Sequence, residues 1–366
     1  MSSNDYELIG APQRVVPLDA GFRWSSNIVD YAAHPAYADL VAQAGLVQKL
    51  SATLRYAAKF ALLLTKRVIR YEMIPYENRK ANSLADRIGF VTTGFRNAMG
   101  LGSIKADAAE APAALTHLNA QGIAVVAMPP TEFETLEALA KPHFDALAAR
   151  RGQRANRREF DESRATADRR QSPELFTFIE KVLAESGLSA TADAYMGRKA
   201  HLIDLNPQIN DPSDSFWRDI FEDKPEIGLP RTAYCHRDAS GGDLKAIIYM
   251  TDVGPETGPF TYAVGSNQMV ISRRDDLLCE ANDHNGLSST SLEARREFAA
   301  LPAMLRQKGS FGNDLNDDAP QSRQIATALW EVEGRKGSIV LFDTKGIHRG
   351  GMVDTGERRV ITCVLG

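Results

Sequence analysis

The sequence predicts an α+β protein, helical in its first part and an antiparallel β-sandwich or barrel after residue 190. Three observations carry this. Apolar residues recur at helical spacing through residues 46–68. Short β-branched and aromatic runs bounded by Gly, Pro and Asp crowd the second half. Those runs do not alternate with helical segments, so a parallel sheet built on helical crossovers is not indicated.

The bulk composition sets outer limits. With 366 residues, 43% of them apolar, the chain is long enough to bury a sizeable core. A formal net charge of −4 gives no global pull toward nucleic acid or an anionic membrane, and no nucleic-acid partner is expected. Three scattered cysteines, Cys235, Cys279 and Cys363, contain no CxxC pair and indicate neither a zinc knuckle nor a disulfide framework. The start, MSSNDYELIGAPQRVV, lacks a basic stretch followed by an apolar run, and no apolar stretch approaches the ~20 residues of a membrane span. A reducing cytoplasm is the expected location.

Residues 1–110 read as an irregular, mostly helical extension. Leu46, Leu50, Leu54, Ala57, Ala61, Leu64 and Val68 make one helical stripe, and Lys49, Arg55, Lys59, Lys66, Arg67 and Arg70 occupy other positions. The stripe is expected to dock on the core with the basic residues in water. A helix lying on a membrane surface is the alternative.

Residues 111–366 read as one domain. After Gly122, residues 123–126 are a short strand, broken by Pro129 and Pro130. Thr131 then stands as an N-cap with Glu134 three residues on, the spacing of a capping box. Residues 150–170 mix many arginines with Glu159, Asp161, Glu162 and Asp168, which suits a solvated connection better than a nucleic-acid patch. Strands follow in AYMGRKAHLIDL, RTAYCHRD, LKAIIYMTDV, FTYAV, GSIVLFD and RRVITCVL. Residues 269–330 interrupt them as a long polar and helical insertion, expected to act as a lid or substrate loop.

The chemistry rests on three residues. Of seven histidines, His236 forms an H-x-D with Asp238 beside the expected strand at residues 232–235, where alternate side chains share a face. His348 follows the strand GSIVLFD, and an antiparallel sheet can bring it alongside. Two imidazoles and one carboxylate on one face of an octahedron leave positions open, the set that suits non-haem iron(II) in oxygenases. Arg358 and Arg359, ten and eleven residues after His348, are adjacent on the last strand, so one points inward and the other outward.

From about Gly122 to the C-terminus the chain resembles the phytanoyl-CoA dioxygenase-like branch of the iron(II)/2-oxoglutarate oxygenases. The likeness is strongest over residues 236–266 and 337–364. It implies a double-stranded β-helix, a jelly roll with helices packed on one sheet. It implies iron(II) held by His236, Asp238 and His348, with 2-oxoglutarate as cosubstrate and O2 as oxidant. The register of RRVIT, with Ile361 and Thr362 following, selects Arg358 for the distal carboxylate of 2-oxoglutarate, which a guanidinium fork neutralises in a buried site. Tyr249 falls where the family carries an aromatic residue lining that pocket. Gly350 and Asn267 depart from the hydroxyl residue and the histidine common at their positions.

A retained carboxylate at Asp238 implies oxygenation rather than halogenation. The expected reaction is hydroxylation of an unactivated C–H in a polar or anionic small molecule, such as a sugar acid or natural-product intermediate. Arg198, Arg237, Arg273, Arg274 and Arg349 are candidates to meet its charge. A cupin-type metal-dependent isomerase and a non-catalytic jelly-roll binding protein are the alternatives.

Overall fold

The computed structural model describes residues 6–23, 30–69, 112–154, 156–158, 160–197, 199–214, 224–226, 228, 232, 234–238, 244–272, 292–306 and 320–366. Arg70, Arg198, Arg273, Arg274, Cys279 and His284 lie outside these residues, as do all of residues 70–111 and about half of the 269–330 insertion.

Nine strands form two antiparallel sheets among the described residues. The larger holds β1 (Glu7–Ile9), β2 (Ile123–Ala127), β7 (Ser338–Asp343), β4 (Leu244–Tyr249), β9 (Arg358–Leu365) and β3 (Leu202–Asn210), in that spatial order. The smaller holds β6 (Leu329–Val332), β5 (Phe260–Ala263) and β8 (His348–Arg349). Pro207 lies inside β3, which is tolerable because β3 is an edge strand and loses no ladder hydrogen bond on its open side. Glu7–Ile9 pairs with β2, although the sequence carries no strand signal before Gly122. Three residues are too few to show a two-residue period.

Helices surround the sheets. They are α1 (Ala38–Gln43), α2 (Leu46–Ile69), α3 (Ala113–Gln121), α4 (Pro130–Gly152), α5 (Phe160–Ser163), α6 (Pro173–Glu185), α7 (Leu188–Met196), α8 (Leu292–Ala300), α9 (Ala303–Arg306) and α10 (Pro320–Ala328). Gly122 closes α3 in the left-handed region, φ 78°, and its N–H caps the Leu118 carbonyl at 2.9 Å. Helix α4 begins at Pro130 with Pro129 as its cap, so Thr131 sits inside the first turn and is not the N-cap. Proline at the first helical position has no N–H to satisfy and its φ already suits the helix.

The strand alternation divides the core. Leu205, Ala246, Leu341 and Cys363 face α4, α6 and α7 on one side of the larger sheet. Ile123, Tyr249, Phe342 and Val360 face Phe260, Tyr262 and Val332 of the smaller sheet on the other. A third cluster joins the N-terminal residues Phe22, Tyr37, Ala52 and Tyr56 to Phe298 of α8 and Ile325 of α10, and reaches Tyr234, Cys235 and Ile347.

Helix α2 docks by a different face from the one expected. Ala52, Tyr56 and Phe60, spaced at i, i+4 and i+8, turn inward, whereas Leu46, Leu50, Leu54, Ala57 and Ala61 are exposed. Two apolar faces exist on this helix, and periodicity alone does not select between them.

Candidate metal centre

His236, Asp238 and His348 come together at one end of the space between the sheets. One ligand atom from each lies within 4.8 Å of the other two. Asp238 Oδ1 is 3.7 Å from His236 Nε2 and 3.8 Å from His348 Nε2. His236 and His348 face each other as an antiparallel bridge with reciprocal N–H···O bonds of 2.8 Å. The Asp238 N–H donates to the Thr344 carbonyl at 3.0 Å, tying the third ligand to the loop that carries His348.

Among the described residues 232, 234 and 235, none lies in the expected strand. Tyr234 has φ 58°, a left-handed conformation that ends an extended run, and among the described residues 232–238 sheet-like pairing is seen at His236 alone. The turn has a consequence for the ligand. The Tyr234 carbonyl lies 3.0 Å from His236 Nδ1, and the Gly346 carbonyl lies 2.9 Å from His348 Nδ1. A carbonyl can only accept, so each Nδ1 carries the proton and each Nε2 presents a lone pair toward Asp238. The donor set therefore fits a divalent metal bound by two neutral imidazoles and one carboxylate.

The surroundings set charge states to match. Burial pushes His348 down, to about 3, so it is neutral near pH 7. Burial alone would raise Asp238, but the Lys245 ammonium and the two imidazoles outweigh it and hold the carboxyl well below its usual range. Lys245 Nζ sits 2.5 Å from Asp238 Oδ2, the oxygen turned away from the histidines. Around His348 stand Phe342, Phe260 and Tyr262, with ring centroids 5.0, 5.9 and 6.4 Å away. Tyr234 is clamped in turn by Arg295 of α8, fully buried, which lies 5.5 Å from the Tyr234 and Tyr37 ring centroids and donates to the Tyr37 hydroxyl.

Arg358 and Tyr249 are neighbours on the same inner face. Lys245 and Tyr249 are both inner-face residues of β4, four apart, which is about 13 Å along the strand. Tyr249 pairs with Val360, two residues beyond Arg358 on β9. The Arg358 side chain is buried; Nη1 donates to the Gly258 carbonyl, Nη2 donates to Asn210 Oδ1 at 3.0 Å, and Nε has no partner. Asn210 Nδ2 donates to Asp214 Oδ2 at 3.0 Å, and Asp214 also accepts from Arg151 at 3.1 Å and Ser163 at 2.6 Å, which fixes the Asn210 amide with its oxygen toward Arg358. Among the described residues no carboxylate pairs with Arg358. Arg359 points the other way, over the Phe144 ring and against Glu357.

The Tyr249 hydroxyl donates to the Val332 carbonyl at 2.7 Å and accepts from the Phe260 N–H at 3.1 Å. Burial pushes this phenol up to about 12. Its hydroxyl is thus engaged with backbone on both sides.

Other sequence candidates fall elsewhere. Arg237 is buried and its Nε donates to the Lys345 carbonyl at 2.8 Å, bracing the His348 loop. Lys245, Asn210, Asp214 and Arg295 were not singled out by sequence. Lys245 had one visible signal: a charge on the inward phase of LKAIIY.

The phytanoyl-CoA dioxygenase (PhyH) family model matches residues 118–361. No curated protein matches the chain in sequence. Among solved structures, AviO1 from Streptomyces viridochromogenes Tue57 is similar at 18% identity, with 69% of this chain and 93% of that chain covered and a TM-score of 0.39. The non-heme alpha ketoglutarate dependent carbocyclase SnoK from nogalamycin biosynthesis is similar at 14% identity, covering 71% and 85%, with a TM-score of 0.41. EctD from S. alaskensis with bound Fe is similar at 13% identity, covering 72% and 80%, with a TM-score of 0.41.

Proposed function

Because the chain belongs to the phytanoyl-CoA dioxygenase family, we propose that it is an iron(II)- and 2-oxoglutarate-dependent oxygenase that hydroxylates a small molecule. The observation that carries this reading is the convergence of His236 Nε2, His348 Nε2 and Asp238 Oδ1, with both Nδ1 protons engaged by carbonyls. We read the two sheets as the family's double-stranded β-helix.

In this reading His236, Asp238 and His348 hold the iron. Arg358, buried and without a carboxylate partner among the described residues, receives the distal carboxylate of 2-oxoglutarate, and Tyr249 walls the same pocket. When bound, iron and 2-oxoglutarate supply the oxidising power, with O2 consumed and 2-oxoglutarate converted to succinate and carbon dioxide. The protein's own residues position and exclude. Phe260, Tyr262 and Phe342 keep water from His348, and Lys245 holds the Asp238 carboxylate ionised. No side chain is required as a general acid or base.

The substrate is proposed to be polar or anionic, with Arg349, next to His348, among the groups that meet it. The test is succinate production from 2-oxoglutarate with candidate substrates. The wild type produces it, and the Asp238→Ala, His348→Ala double variant does not. Undiminished succinate from the double variant would overturn the assignment.

A further inference from the structure

The outward face of α2 has no role in the metal centre. Leu46, Val47, Leu50, Leu54 and Leu62 are between 56% and 84% exposed. They span about 25 Å of helix and fall within about 160° of arc. Ser51, Ala57, Ala58 and Ala61 share that arc, so it carries no charge from residue 46 to 62. Soluble proteins rarely leave a contiguous apolar strip of this kind in water without a use for it.

The borders of the strip are basic. Lys49 lies beyond one edge, and Arg55 and Lys59 beyond the other, all exposed. Residues 46–70 contain six Lys or Arg and no Asp or Glu, in a chain whose net charge is −4. The inward face is already committed: Ala52 and Tyr56 are buried, and Arg55 pairs with Glu297 of α8 at 3.2 Å. The helix is therefore anchored to the body of the protein with its apolar side outward.

We propose that this face docks the protein on an anionic lipid bilayer, with α2 lying in the plane of the headgroups. A second copy of the chain is a poor occupant, because pairing two such helices would bring together Lys49, Arg55 and Lys59 of each, six basic residues, with no acidic residue on either helix. An anionic bilayer satisfies both features at once. The leucines enter the boundary between headgroups and acyl chains, while the bordering lysines reach phosphate. Binding is in-plane, since no helix among the described residues is long and apolar enough to cross a membrane.

The test is co-sedimentation of the full chain with vesicles of phosphatidylcholine alone and of phosphatidylcholine with about a third phosphatidylglycerol. Wild type should bind the anionic vesicles at least ~10-fold more tightly than the neutral ones, and weaken as salt is raised. Leu50→Ser with Leu54→Ser should lose ~10-fold or more on anionic vesicles, because both side chains leave the apolar face, and should keep its circular dichroism spectrum. Lys49→Glu with Lys59→Glu should lose binding in the same assay. Equal binding to both vesicle types, or anionic binding unchanged in the leucine variant, overturns the proposal. So does a wild-type dimer by sedimentation velocity that the leucine variant converts to monomer, which would assign the face to a second copy.

Discussion

Replacing Arg358 by Met separates cosubstrate binding from folding. In the metal-free protein the guanidinium makes two hydrogen bonds, leaves Nε without a partner, and has no carboxylate beside it among the described residues. An arriving carboxylate gains two charge-assisted bonds, each worth about 1.5–3 kcal/mol. Their loss, about 3–6 kcal/mol, corresponds to roughly two to four orders of magnitude in Kd for 2-oxoglutarate. Stability of the metal-free protein should change far less. The variant leaves the Gly258 and Asn210 oxygens without their donor, but it also removes a buried guanidinium that no described carboxylate pairs directly, Asp214 acting on it only through the Asn210 amide, and these effects oppose each other. The assay is an anaerobic titration of the iron-loaded protein with 2-oxoglutarate, followed by its weak visible absorption and paired with denaturant unfolding. At 100 times its Kd, 2-oxoglutarate should stabilise the wild type by about 2.7 kcal/mol and leave the variant unmoved at the same concentration. A Kd for Arg358→Met within threefold of wild type would refute the reasoning, as would an Arg359→Met variant with the larger defect.

Three further outcomes follow from the same geometry. Lys245→Met removes the partner of Asp238 Oδ2 from a site intermediate between surface and core, and should lower metal-free stability by about 1–3 kcal/mol in urea melts; no change would mean the pair is idle. His348 is pushed down to about 3, so as pH falls from the ordinary histidine value near 6.5 toward 3 the unfolded chain takes up a proton that the folded one refuses. Metal-free stability should therefore fall with acid by up to about 1.4 kcal/mol per pH unit, and His348→Gln should flatten that slope. Gly346→Ala would place a methyl against the Tyr262 hydroxyl and Ser266 Oγ, moving the carbonyl that orients His348; iron affinity by equilibrium dialysis should drop roughly 10- to 100-fold, and retained affinity would show the turn to be permissive.

The meeting of His236, Asp238 and His348 was legible because their residue types are rare in combination and sit beside strong strand signals. The mechanism expected to align them was not. A regular strand was read into residues 232–235, where Tyr234 instead turns left-handed and aims its carbonyl at His236. No local pattern announces that turn, since Arg295 and Tyr37, which hold Tyr234, are far away in sequence. Helix α2 was legible as a helix but not in its orientation, because Ala52, Tyr56 and Phe60 form an inward face no more apolar by period than the leucines opposite. The choice between Arg358 and Arg359 needed the register of the last strand; alternation alone says only that the two differ. Asn210 and Asp214 lie in NPQINDPSD, where nothing marks a support for an arginine 148 residues beyond Asn210.

The most direct measurement is an anaerobic titration of the protein with iron(II) in excess 2-oxoglutarate. One equivalent of iron per chain should develop the visible absorption of the chelate in the wild type, and Asp238→Ala combined with His348→Ala should abolish it. No absorption in the wild type, or full absorption in the double variant, would contradict the placement of iron and 2-oxoglutarate at this centre.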